Sequence, residues 1–188
     1  LELDLEFLAK EIITMATKKK IENWQKGQKA TKVDDVLITL KDIGEHGSEE
    51  IIPEIIELAV NAKSVQVKRE CNLMLKNIKI NGAEQHFFNA FKNKNYQNNL
   101  EALLSAFWHS NLDASGNLQT LIDLALKADD YMIGFECLTI IENNKTQFKE
   151  EELIEAIKNI QKYLEMGHPQ LELLQNIKET LSDLLTDR

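Results

Sequence analysis

Residues 55–77, IIELAVNAKSVQVKRECNLMLKN, and 121–143, LIDLALKADDYMIGFECLTIIEN, are two copies of one pattern set sixty-six residues apart. Ile56, Leu58, Ala59, Ala62, Glu70, Cys71 and Asn77 match Ile122, Leu124, Ala125, Ala128, Glu136, Cys137 and Asn143. Within each copy the apolar residues recur every three or four positions, the period of one helix face. A period near half that spacing, repeated along 188 residues, points to stacked helix hairpins. One hairpin cannot bury its apolar face alone, so each unit must show its neighbours the same apolar positions.

Composition narrows the choice. The chain holds 7 Gly and 2 Pro, too few for the frequent turns of a β-rich protein. Hydrophobic residues at 43% are enough for a sizeable core. The spacing predicts helices over 1–22, 32–44, 49–62, 64–79, 83–93, 96–110, 116–127, 130–143, 149–166 and 169–186. These pair as hairpins 1–44, 49–79, 83–110, 116–143 and 149–186 in one all-α domain over 1–188. The arrangement expected is an α-solenoid of about five antiparallel hairpins, with a compact helical bundle as the alternative.

Punctuation supports these limits. Gly44 and Gly47 are read as ending the second helix. Ser48 is read as capping the third, and Pro53 sits near its start, where a missing N–H costs least. Asn81–Gly82 is read as a C-cap, because its flanks have helical rather than alternating period.

The segment IIPEIIELAVNAKSVQVKRECNLMLKNI resembles a HEAT repeat. Pro53 lies early in the first helix and Ile56 at a buried position. Val67, Lys68 and Cys71 follow at the second-helix positions for Val, a basic residue and a small residue. The resemblance covers residues 33–143 and reaches the ends by extension, with armadillo-like repeats as neighbours. One departure concerns the turn, where the family often sets an Asp opposite an Arg. Here the turn is NAKS, the basic position is Lys68, and its later equivalent is Gly134, so cohesion is expected to come from apolar packing. The resemblance implies a non-enzymatic protein-interaction scaffold or adaptor. Two alternatives stand beside it. One is a nucleic-acid or DNA-repair module, which the net charge of −9 opposes. The other is a structural subunit of a larger complex.

No residue pattern calls for a catalytic site, a cofactor or a metal. His46, His86, His109 and His168 stand apart from one another and from Cys71 and Cys137, without metal-ligand spacing. His46 and His168 are expected in breaks between helices. The two cysteines, in equivalent repeat positions, are expected to be free, small core residues, which fits a reducing cytoplasmic location. Glu70–Cys71 and Glu136–Cys137 are accordingly read as structural, each Glu falling off the apolar stripe. The NKT triplet at Asn144 is read as chance. No run approaches the roughly 20 apolar residues of a membrane helix, and the opening LELDLEFLAKEI is amphipathic and acidic rather than a signal peptide. The start at Leu1 leaves a longer native N-terminus open.

Two features suggest contact surfaces: a basic stretch suited to an acidic partner, an RNA backbone or an anionic membrane surface, and an aromatic cluster suited to a protein partner. Lys18, Lys19 and Lys20 belong to a lysine-rich stretch over 14–32 opposed by Glu22 alone. Half of the aromatic residues fall within 84–110, and Phe87, Phe91 and Trp108 are the candidate contacts there. Phe87 and Phe91 share a face, with Phe88 about 100° away. One member of each adjacent pair, Phe87/Phe88 and Phe107/Trp108, is expected in the core.

Overall fold

The computed structural model describes residues 33–46, 49–167 and 169–187, together with Ile12, Met15, Ala16, Lys18 and Lys19. Among these residues the chain is all-helical, without a strand. The helices are α1 Val33–His46, α2 Ile52–Asn61, α3 Val65–Lys76, α4 Ala83–Phe91 and α5 Leu100–His109, then α6 Leu118–Lys127, α7 Tyr131–Asn143, α8 Glu150–Glu165 and α9 Leu171–Thr186. Short 3-10 turns at Glu49–Ile51 and Lys94–Asn99 lead into α2 and α5. Contacts divide the chain into two compact units, Leu1–Tyr96 and Gln97–Arg188.

In the first unit α2 is the centre. It packs on α3 and α4, while α3 packs on α1. Ile51, Ile52, Ile55, Ile56, Leu58, Ala59 and Val60 are all buried, and each fully buried Ile or Leu contributes about 1.5–3 kcal/mol. Pro53 occupies the first turn of α2, where no backbone hydrogen bond is lost. Ser64 caps α3, its Oγ accepting from the Val67 N–H at 3.4 Å. Val67, Cys71 and Leu75 form the buried stripe of α3. Lys68 Nζ donates to the Val60 carbonyl, one of the last in α2. The basic position of the repeat thus ties the two helices of its hairpin by a polar bond, in addition to the apolar packing expected there.

In the second unit α6 packs on α7 and α8, α7 on α5 and α9, and α8 on α9. Polar clamps fix these contacts. Asn159 Nδ2 donates to Gln119 Oε1 at 3.1 Å, and Gln170 Nε2 to the Ala128 carbonyl at 2.9 Å. Asn144, 5% exposed, accepts the Ala114 N–H on Oδ1 and donates from Nδ2 to the Ile140 carbonyl, both at 2.9 Å. The NKT triplet therefore begins on a buried structural amide.

Several expected boundaries move. The helix expected to stop at 44 runs through Gly44 to His46, which makes His46 a helical residue rather than part of a break. A lone glycine costs a helix only about 1 kcal/mol, less than the packing of Val36 and Leu40 supplies. Gly47, Ser48 and His168 lie outside the described residues. Asn81–Gly82 does not cap the helix before it. That helix already ends at Lys76, with Asn77 Nδ2 donating to the Leu73 carbonyl at 2.7 Å. Gly82 instead opens α4 at φ +86°, and the Glu49 carboxylate lies 2.5 Å from where a Cβ would stand. Most of the expected helix 1–22 is outside the described residues. Ile12 and Met15 are helical and 66% and 71% exposed.

Candidate functional site

The aromatics of 84–110 are largely committed to the core. Phe87, Phe88 and Phe91 are each 0% exposed, so the expectation that one of Phe87 and Phe88 would face outward does not hold. Phe87 and Phe88 point about 100° apart on α4, so the helix is covered over a wide arc, and the rings pack on each other. Phe88 and Phe91 meet edge to face at 5.3 Å, and Phe87 and Phe91 lie tilted at 6.1 Å. Phe87 and Phe91 therefore present no surface to a partner. Phe107 is buried and Trp108 half-buried, the divergence expected of that pair.

Trp108 is engaged within its own unit. Its Nε1–H donates to the Glu136 carboxylate, which is 8% exposed, and its ring stacks on His109 at 3.6 Å. Glu136 thus points inward, against the expectation that it would fall off the stripe. A buried carboxylate needs a donor, and an indole 28 residues away in sequence was not visible as one. Glu70, in the equivalent position of the first unit, is partly exposed and pairs with Arg69 at 3.2 Å.

Both cysteines are free and 0% exposed. Burial, and then the neighbouring Glu70, push the Cys71 thiol up to about 12. Burial and the Glu136 charge raise Cys137 as well. A nucleophilic cysteine needs the opposite environment. Among the described residues no group of His, Cys, Asp and Glu is placed to hold a metal ion.

Of the three candidate lysines, Lys18 forms an ion pair with Glu54 at 3.7 Å and Lys19 is exposed, while Lys20 lies outside the described residues. The first unit also holds an open cleft of about 230 Å³ lined by Pro53, Ile56, His86 and Tyr96. Its polar groups are already used: the Tyr96 hydroxyl donates to Glu57, and His86 Nε2 lies 3.2 Å from Glu49.

The outstanding surface is on α7. Asp130 caps this helix, its Oδ1 accepting from the Met132 N–H at 2.9 Å. Gly134, Glu136, Cys137, Ile140 and Ile141 form the buried face. A Cβ at position 134 would stand 2.5 Å from Leu173 Cδ2, so the glycine lets α9 approach closely. That contact accounts for Gly134 where the other repeat has Lys68.

The opposite face carries Tyr131, Met132 and Phe135, at 51%, 40% and 45% exposure, with the two rings stacked at 6.5 Å. Their repeat equivalents in α3 are Val65, Gln66 and Arg69, all exposed as well. The position is therefore outward-facing in both units, polar in two of three residues in one and wholly apolar in the other. Leu171 is 49% exposed at the start of α9, which packs on α7.

No family model matches the chain, and no curated protein and no solved structure is similar to it. No helix among the described residues is long and apolar enough to cross a membrane.

Proposed function

We propose that this chain is a non-enzymatic protein-interaction scaffold built as a HEAT-like α-solenoid, working in the cytoplasm. The observation that carries this reading is the face of α7. Two stacked aromatic rings and a methionine stand in solvent at repeat positions that hold a valine, a glutamine and an arginine in the matched hairpin. Aromatic residues and Met are enriched in protein interfaces. The packing pattern supports the solenoid part. Helices touch the helix two places along, as α1 does α3, α2 does α4 and α5 does α7, and α2, α6 and α8 also pack on their hairpin partners α3, α7 and α9. The two free, buried thiols support a reducing compartment.

A photoreactive phenylalanine analogue placed at position 135 of the full chain tests the reading. In extract of the source cell it is expected to form a covalent adduct with a protein that binds again when purified. The same analogue at the matched, exposed position 69 is expected to give none. Equal labelling from both positions would refute the scaffold reading, and an adduct with nucleic acid would favour the DNA-repair-type alternative.

A further inference from the structure

We infer that the α7 face receives a cationic amphipathic helix of a partner protein, with apolar side chains on Tyr131, Met132 and Phe135 and Lys or Arg against Asp129 and Asp130. The inference rests on the scaffold reading and names the chemistry of its partner.

Charge selects this occupant. Asp129 and Asp130 are exposed at the N-terminal end of the patch. Glu142 is exposed farther along α7, and Glu172 is exposed beside Leu171 at the start of α9. Residues 128–143 and 169–177 contain no Lys or Arg. The nearest cation in sequence, Lys127, is held by Asp123 at 2.9 Å. The matched hairpin differs, with Lys63 and Arg69 exposed around its outward positions, Arg69 being paired with Glu70 at 3.2 Å. The apolar patch thus sits in a field of carboxylates that its repeat counterpart lacks.

The same field disfavours two other occupants. A second copy of the chain, meeting this face through a two-fold axis, would set Asp129 and Asp130 close to their own equivalents. An anionic membrane surface would be repelled in the same way. A partner helix fits the scale of the patch, since Tyr131 and Phe135 span about 6 Å along the axis, one helical turn. Anchors spaced by three or four residues would meet both rings, and basic residues flanking them would meet the aspartates.

Two labelled peptides about 16 residues long, enough to hold a helix, test the inference by fluorescence anisotropy with the full chain. They share one Leu/Ile face and differ in a Lys-rich or a Glu-rich opposite face. The Lys-rich peptide is expected to bind and the Glu-rich one not. Tyr131→Ser/Phe135→Ser is expected to weaken binding at least about tenfold. Asp129→Asn/Asp130→Asn keeps a capping side chain and is expected to weaken it measurably, with an unchanged circular dichroism spectrum. Failure of the Lys-rich peptide to bind, equal binding of the Glu-rich peptide, or indifference to Tyr131→Ser/Phe135→Ser would overturn the inference. So would self-association, or binding to phosphatidylserine vesicles, that Phe135→Ser abolishes. A protein adduct from position 135 together with failure of the Lys-rich peptide would leave the scaffold standing and remove only the cationic partner.

Discussion

Tyr96 shows how one polar contact couples stability to pH. Burial, and then the Glu57 carboxylate that accepts its hydroxyl proton, raise the phenol from 10.0 to about 12. The folded state therefore holds this proton more tightly than the unfolded chain. Below pH 10 both states keep it and the contribution is complete; between pH 10 and 12 the unfolded chain releases it first, and stability falls. Other groups titrate in the same range, but they cancel when the protein is compared with Tyr96→Phe. The difference in urea unfolding free energy between the two is expected to stay constant below pH 10 and to move against the tyrosine protein above it. Parallel profiles would show that Glu57 does not hold the proton. The pairing was not legible in the sequence, since thirty-nine residues separate Tyr96 from Glu57. Periodicity places a residue on a helix face, but it does not say which distant side chain that face meets.

At the scale of elements, α7 and α9 meet where Gly134 faces Leu173. Alanine at 134 would gain about 1 kcal/mol in helix propensity. It would also set a methyl 2.5 Å from Leu173 Cδ2, and Leu173 is 1% exposed and poorly able to retreat. Overpacking of this kind costs about 1–3 kcal/mol, so Gly134→Ala is expected to lower the melting temperature. In a Leu173→Ala background the obstruction is gone, and Gly134→Ala is expected to stabilise. Calorimetry on the four proteins of this cycle checks the change of sign; the same sign in both backgrounds would contradict the close approach. The limits of the helices were largely legible, because spacing such as Val67, Cys71 and Leu75 is repeated from hairpin to hairpin. Asn81–Gly82 was not, because a left-handed glycine can end one helix or begin another. Here the Glu49 carboxylate, thirty-three residues upstream, occupies the space over it. The outward face of α7 was hidden for a related reason. YMIGFECLTIIEN is apolar on almost every side, a pattern that reads as a buried helix. Its exposed turn emerges only once α5, α6 and α9 are seen to cover the other side.

For the molecule as a whole, the net charge of −9 is the dominant long-range property. Carboxylates without basic neighbours, as over 128–143, repel one another at low ionic strength. Added salt screens exposed charges beyond about 8 Å at physiological strength. Raising sodium chloride from a dilute buffer to that strength is therefore expected to raise the melting temperature. A gain of about 1 kcal/mol would correspond to about 2–4 °C for a chain of this size. A fall would mean that attractive pairs such as Lys127–Asp123 outweigh the repulsion. The acidic character and the all-helical class were both plain in the composition. The sequence pointed to 84–110 as the place of contact, and the structure turned those rings inward, because adjacent aromatics on a short helix were enclosed on more than one side. Among the described residues Trp108 is the single indole, bonded to a buried carboxylate and stacked on an imidazole. With Trp24 replaced by Phe, its emission becomes an internal optical gauge of whether α5 and α7 remain together, readable without any label.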